Sequence, residues 1–120
     1  MIFGVVGVNI WTNHMKLLRR FYQDTLCLPL HSDHGDFVAF SFGDMRLNLG
    51  RHDAITGPAK EPHRIMINLG VEDIHNEHRR LTAQGVEFVR PPEQESWGGW
   101  VATFKDPDGN LLQLLQLIGV

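Results

Sequence analysis

A single cysteine, Cys27, stands among 120 residues, so no disulfide within the chain and no thiolate metal cluster is available. Lysine and arginine never run beyond a pair, and 11 of them against 14 acidic residues give a net charge of -3. That leaves no electrostatic footprint for a phosphate backbone and argues against nucleic acid as a partner. No apolar stretch reaches the roughly 18 residues needed to span a bilayer, and the apolar Met1 to Val8 has no basic leader. The expectation is a cytoplasmic protein with no membrane partner. Hydrophobic content of 42% against 21% charged is the balance of one globular domain.

What is present is periodic. Gly4 to Trp11 gathers β-branched and aromatic residues as a first strand, and Thr12 or Asn13 can cap a helix. From Met15 to Leu26, the residues Met15, Leu18, Tyr22 and Leu26 recur at spacings of three and four, with Leu17 and Phe21 widening the stripe. Strands are expected at Leu30 to Asp33, Asp36 to Phe42 and Met45 to Leu49, separated by His34-Gly35 and Gly43-Asp44.

The segment from Arg51 to Pro62, with Gly57, Pro58 and Pro62, reads as a linker between a first module (1-50) and a second (63-120). The same order then repeats: a strand from Arg64 to Val71, a helix from Ile74 to Gln84 stopped by Gly85, and strands at Val86 to Val89, Trp100 to Phe104 and Leu111 to Leu117. A shift of 59 residues aligns Asn9 with Asn68 and Arg20 with Arg79. The fold class is α+β, two βαβββ modules. Asp106-Pro107-Asp108-Gly109 is a tight turn that joins the last two strands.

Several strings carry a further resemblance: Phe21-Tyr22-Gln23-Asp24-Thr25-Leu26-Cys27-Leu28, Val71-Glu72-Asp73-Ile74, Leu81 to Val86, Pro91-Pro92, Trp97-Gly98 and Asp106 to Asn110. Together they resemble the vicinal oxygen chelate proteins, the superfamily of glyoxalase I, bleomycin-resistance proteins and extradiol dioxygenases. The resemblance implies a curved, cup-shaped mixed sheet with helices outside, and a homodimer. It also implies metal-ligand positions in the metal-dependent members: a histidine early in the first strand, a carboxylate late in the first module, a histidine early in the fifth strand and a glutamate in the last. Carried onto this chain they fall on Gly7, on Arg46 or Asn48, on Met66 and on Gln113. None is an imidazole or carboxylate, so neither a metal nor another cofactor is expected. Cys27 replaces a usual glycine, which requires either a side chain at positive φ or a different helix end.

Strand alternation then sets the candidate ligand-binding residues. If Val8 and Ile10 pack under the helices, Asn9 and Trp11 face the cup, joined by Arg46 and Asn48, by Met66 and Asn68 of the fifth strand, and by Gln113 of the last. Trp97 and Trp100, around Gly98-Gly99, either close over the cup or pack at the base of the hairpin. The lining is aromatic, thioether and amide, suited to holding a small organic molecule. Of the histidines, His75 and His78 are expected on a solvated outer helix face, and Cys27 as a packed, inert thiol. The functional expectation is metal-free binding or sequestration, as in drug resistance. The alternative is a divergent lyase, isomerase or dioxygenase with ligands moved to loop histidines such as His52 or His63.

Overall fold

The computed structural model describes residues 1–118. Two compact units divide between Gly57 and Pro58, within the expected linker. The first contains β1 (Gly7–Thr12), α1 (Met15–Arg20), β2 (Leu30–Asp33), β3 (Phe37–Phe42) and β4 (Met45–Arg51). The second contains β5 (Ile67–Gly70), α2 (Ile74–Ala83), β6 (Phe88–Gln94), β7 (Trp100–Lys105) and β8 (Leu111–Gln116). Each unit is a βαβββ module with a four-stranded mixed sheet, ordered β1-β4-β3-β2 and β5-β8-β7-β6. In both, the first and last strands of the module run parallel and the other pairings are antiparallel.

The alternation along each strand decides which face is core. In the first module Ile10, Val38, Phe40, Leu47 and Leu49 are buried, together with Leu18, Tyr22 and Leu26 from the helical segment. These residues supply the apolar burial that stabilises the module, at ~25 cal/mol per Å² removed from water. Leu17, expected in the apolar stripe, is instead exposed. In the second module Ile74 and Leu81 of α2 are fully buried, as are Ala102 and Phe104, with Leu112 and Leu114 nearly so.

Helix ends follow from local chemistry. Asp73 adopts an extended conformation and its Oδ1 accepts from the Asn76 N–H at 3.1 Å, capping α2. At the other end Gly85 has φ 88°, the Gly85 N–H bonds the Thr82 carbonyl, and the Val86 N–H reaches back to Leu81 at 3.0 Å. This is the Schellman closure, and Leu81 and Val86 are both buried beside it. The first helix starts differently from expectation: its N-cap is His14, with no side-chain cap, while Thr12 Oγ1 accepts from the His14 N–H at 2.9 Å. It continues as one π-helical turn over Phe21–Thr25, with Leu26 N–H bonded to the Phe21 carbonyl at 2.9 Å. The chain leaves through Cys27 at φ 60°, so the side chain is tolerated there. The thiol is exposed, not packed, because the left-handed residue turns away from the helix's apolar stripe.

The helical segment is tied to β2 by Arg19, which donates to Asp33 Oδ2 at 2.7 Å and to Gln23 Oε1 at 2.9 Å. The Arg19 guanidinium, helped by the Gly35 N–H, holds the Asp33 carboxyl below its ordinary value. With the folded-state value depressed, the pair's stabilisation is present above the ordinary carboxylate value and is lost as pH falls through the lower folded one. Asp33→Asn should therefore flatten the acid limb of the stability profile in that window, measured as denaturation midpoint against pH.

Candidate functional site

Three short strands build an ordered surface on the first module, opposite its helix. The parallel register pairs Gly7 with Arg46, Asn9 with Asn48 and Trp11 with Gly50. The β3–β4 register adds Ser41, Ala39 and Phe37 to those rows in turn. Because paired residues in neighbouring strands project from the same face, the sheet presents three successive rows. The first is cationic (Gly7, Arg46, Ser41), the second amide (Asn9, Asn48, Ala39) and the third aromatic (Trp11, Gly50, Phe37).

Each row has a visible cause. At the aromatic end Gly50 is bare so that the indole can lie across it: a Cβ there would stand 2.4 Å from Trp11 Cζ3 and 3.0 Å from Phe37 Cδ2. Phe37 lies 6.1 Å from the Trp11 ring, and His52 meets it edge-on at 5.6 Å. The Ala54 N–H donates to His52 Nδ1 at 3.1 Å. Trp11 keeps 40% of its surface exposed. In the middle row Asn48 Nδ2 donates to Asn9 Oδ1 at 2.9 Å, leaving Asn48 Oδ1 as acceptor and Asn9 Nδ2 as donor for another molecule. At the cationic end Arg46 Nη1 donates to the carbonyls of Gly43 at 2.9 Å and Met45 at 3.3 Å.

Replacing Gly50 by alanine should push the indole off its seat. The expected outcome is a shifted tryptophan emission spectrum with the fold otherwise unchanged, read by fluorescence and circular dichroism.

The corresponding face of the second module has different chemistry. Asn68 pairs with Gln113, and Gln113 with Thr103, so the three share one face, where Gln113 Nε2 donates to the buried Thr103 Oγ1 at 3.1 Å. Met66, half-buried, lies just before β5. Arg90 pairs with Thr103 across the β6–β7 ladder and is held by Glu93 at 2.9 Å and Glu95 at 2.8 Å. Those carboxylates, Glu93 first, raise its already high pKa.

Trp100 corrects an expectation. It pairs with Gln116 and alternates with Ala102 and Phe104, so it lies on the helix side of the sheet, edge-on to His75 at 4.9 Å. Trp97 is exposed, its indole laid on Gly99, where a Cβ would come within 2.0 Å of Cη2. The loop between them is closed by the Glu95 N–H to Gly99 at 2.8 Å and by Gln94 Nε2 to Gly98 at 3.0 Å. Its two glycines thus serve a bonded turn and a seat for the indole. His78 meets Phe88 edge-on at 4.6 Å, so both helix histidines pack on strand aromatics and do not simply face solvent.

Residues 4–114 match the sequence profile of the Glyoxalase/Bleomycin resistance protein/Dioxygenase superfamily. The chain belongs to that superfamily. The uncharacterized protein YetH of Bacillus subtilis is 44% identical over 121 residues, covering 95% of this chain and 98% of YetH. A bleomycin resistance protein of Klebsiella pneumoniae is 46% identical over 35 residues, 29% of this chain and 28% of that one. Among solved structures, a glyoxalase/bleomycin resistance protein/dioxygenase from Nocardioides superposes with TM-score 0.80 at 20% identity, over 100% of this chain and 87% of that chain.

The donor set does not fit the metal used by many members of the superfamily. Gly7 offers no side chain, and a Cβ there would stand 3.1 Å from the Arg46 carbonyl, so a ligating side chain would crowd the strand pair. Arg46 is a cation, Met66 is a soft thioether, and Asn48 and Gln113 offer only neutral amide oxygens, their NH2 groups donating to Asn9 and Thr103. Among the described residues no three His, Cys, Asp or Glu side chains gather as a metal-binding group. His52, one of the loop histidines considered as a replacement ligand, already has Nδ1 engaged, and His63 lies exposed in the segment before β5.

Two residues at the aromatic end were not among those expected from sequence. Phe37 follows from the same alternation that places Ala39 and Ser41, and was legible once β3 and β4 were paired. His52 lies beyond the end of β4, where no periodicity points to it.

Proposed function

We propose that this superfamily member is a metal-free, cytoplasmic, homodimeric protein that binds and sequesters a small organic molecule. The observation that carries the reading is that the four metal-ligand positions hold a glycine, a cation or neutral amide, a thioether and a second neutral amide, a set with no imidazole or carboxylate donor. Trp11, Asn9, Asn48 and Arg46 form the principal ligand surface, and Met66, Asn68 and Gln113 a second, more polar one. Such surfaces stack and hydrogen-bond a planar molecule without moving its protons. The local similarity to a bleomycin resistance protein supports the drug-resistance form of this activity.

The test is calorimetric titration with a panel of planar antibiotics and aromatic metabolites in the presence of a chelator. At least one should bind saturably and return chemically unaltered. Turnover that disappears with the chelator would overturn the reading.

A further inference from the structure

Two guanidinium groups lie on the faces opposite the helices, and their surroundings differ. Arg90 is bonded by Glu93 and Glu95, so its charge is compensated within the protein. Among the described residues Arg46 bonds only to the carbonyl oxygens of Gly43 and Met45, dipoles that orient the fork without neutralising it. Beside it Gly7 leaves the neighbouring strand bare. The first module therefore presents an oriented, uncompensated cation at one end of a surface whose other end is an exposed indole.

The rows fix the spacing. Trp11 and Gly7 are four residues apart on β1, so at about 3.3 Å per residue the aromatic and cationic rows are separated by about 13 Å. The amide row lies midway, with one acceptor and one donor unspent. Resting on the sequestration reading above, we propose that the ligand is an elongated aromatic anion: a planar ring over Trp11 and a carboxylate, sulfonate or phosphate at Arg46. A polar group over the Asn9–Asn48 pair completes the match. A compact aromatic molecule would use the indole alone, and a cationic one would be repelled at Arg46.

Calorimetric titration of the chain of residues 1–120 with ω-phenyloctanoate and with its neutral counterpart ω-phenyloctanamide tests this directly. The carboxylate should bind about tenfold more tightly, the scale of one charge-assisted hydrogen bond. Arg46→Gln should erase that preference, lowering the carboxylate's affinity about tenfold, and Arg46→Lys should keep part of it. Arg90→Gln should leave the preference intact. ω-Phenylbutanoate, too short to bridge the rows, should show little advantage over its own amide. Equal affinity of ω-phenyloctanoate and ω-phenyloctanamide, or a preference that survives Arg46→Gln with an unchanged thermal midpoint, overturns the anion inference and leaves sequestration standing. Failure of both probes while another panel compound binds does the same. If neither the probes nor the panel bind, both conclusions fall.

Discussion

Replacing Asp106 by alanine should lower the stability of the second module by about 2–4 kcal/mol. Asp106 is only 5% exposed, and its Oδ1 accepts from the backbone N–H groups of Asp108 and Asn110, both at 2.9 Å, while Oδ2 accepts from Asn110 Nδ2 at 2.9 Å. Around it the Gly109 N–H bonds the Asp106 carbonyl and the Asp106 N–H bonds that of Asn110, each at 3.0 Å, with Gly109 at φ 81°. This is a type I turn closed by a left-handed glycine. Truncation strands three donors in a partly buried turn that sets the β7–β8 register, and with it the Thr103–Gln113 pairing. Asp106→Asn keeps an acceptor for the two backbone donors but opposes its own amide N–H to that of Asn110, so a loss of about 1 kcal/mol is expected. Urea denaturation of the three proteins would order them wild type, Asn, Ala; equal midpoints would show that the turn does not depend on this carboxylate.

The second large effect concerns binding. Trp11→Ala should leave the fold intact, because the indole lies on Gly50 outside the buried set, yet weaken ligand affinity by about 1–3 kcal/mol. Calorimetry with a panel compound that binds the wild-type protein checks it. An unchanged affinity would mean that the aromatic row is not where the ligand's ring rests.

Much of the fold is legible in the chain because burial enforces one periodicity at a time. Both βαβββ modules and the Gly85 stop follow from patterns that admit few alternatives. The departures have local causes. A π-helical turn at Phe21–Thr25 leaves no sequence signature, since Tyr22 and Leu26 remain buried four residues apart with or without it. The first strand begins at Gly7 and not at Gly4 because pairing, not propensity, sets its length: its partner strand starts at Met45. Pro91-Pro92 makes the end of β6 read as loop, yet β6 extends to Gln94. It is an edge strand, and its register shifts between Arg90 and Glu93 accommodate the missing donors.

The candidate site was legible where strand parity could be anchored on buried neighbours. Asn9, Trp11, Arg46 and Asn48 share a face, and Asn68 shares one with Gln113. For Trp100 the sequence admits two placements, because proximity to a glycine pair competes with its alternation with Ala102 and Phe104, and the alternation prevails. The role of Gly50 as a seat for the indole is a contact in space that no periodicity carries.

The most direct test of the account is calorimetric titration of demetallated protein with Zn²⁺, Ni²⁺, Mn²⁺ and Fe²⁺. No saturable binding of any of them is expected at micromolar concentration. Stoichiometric binding lost on replacing Gln113 by alanine would contradict it.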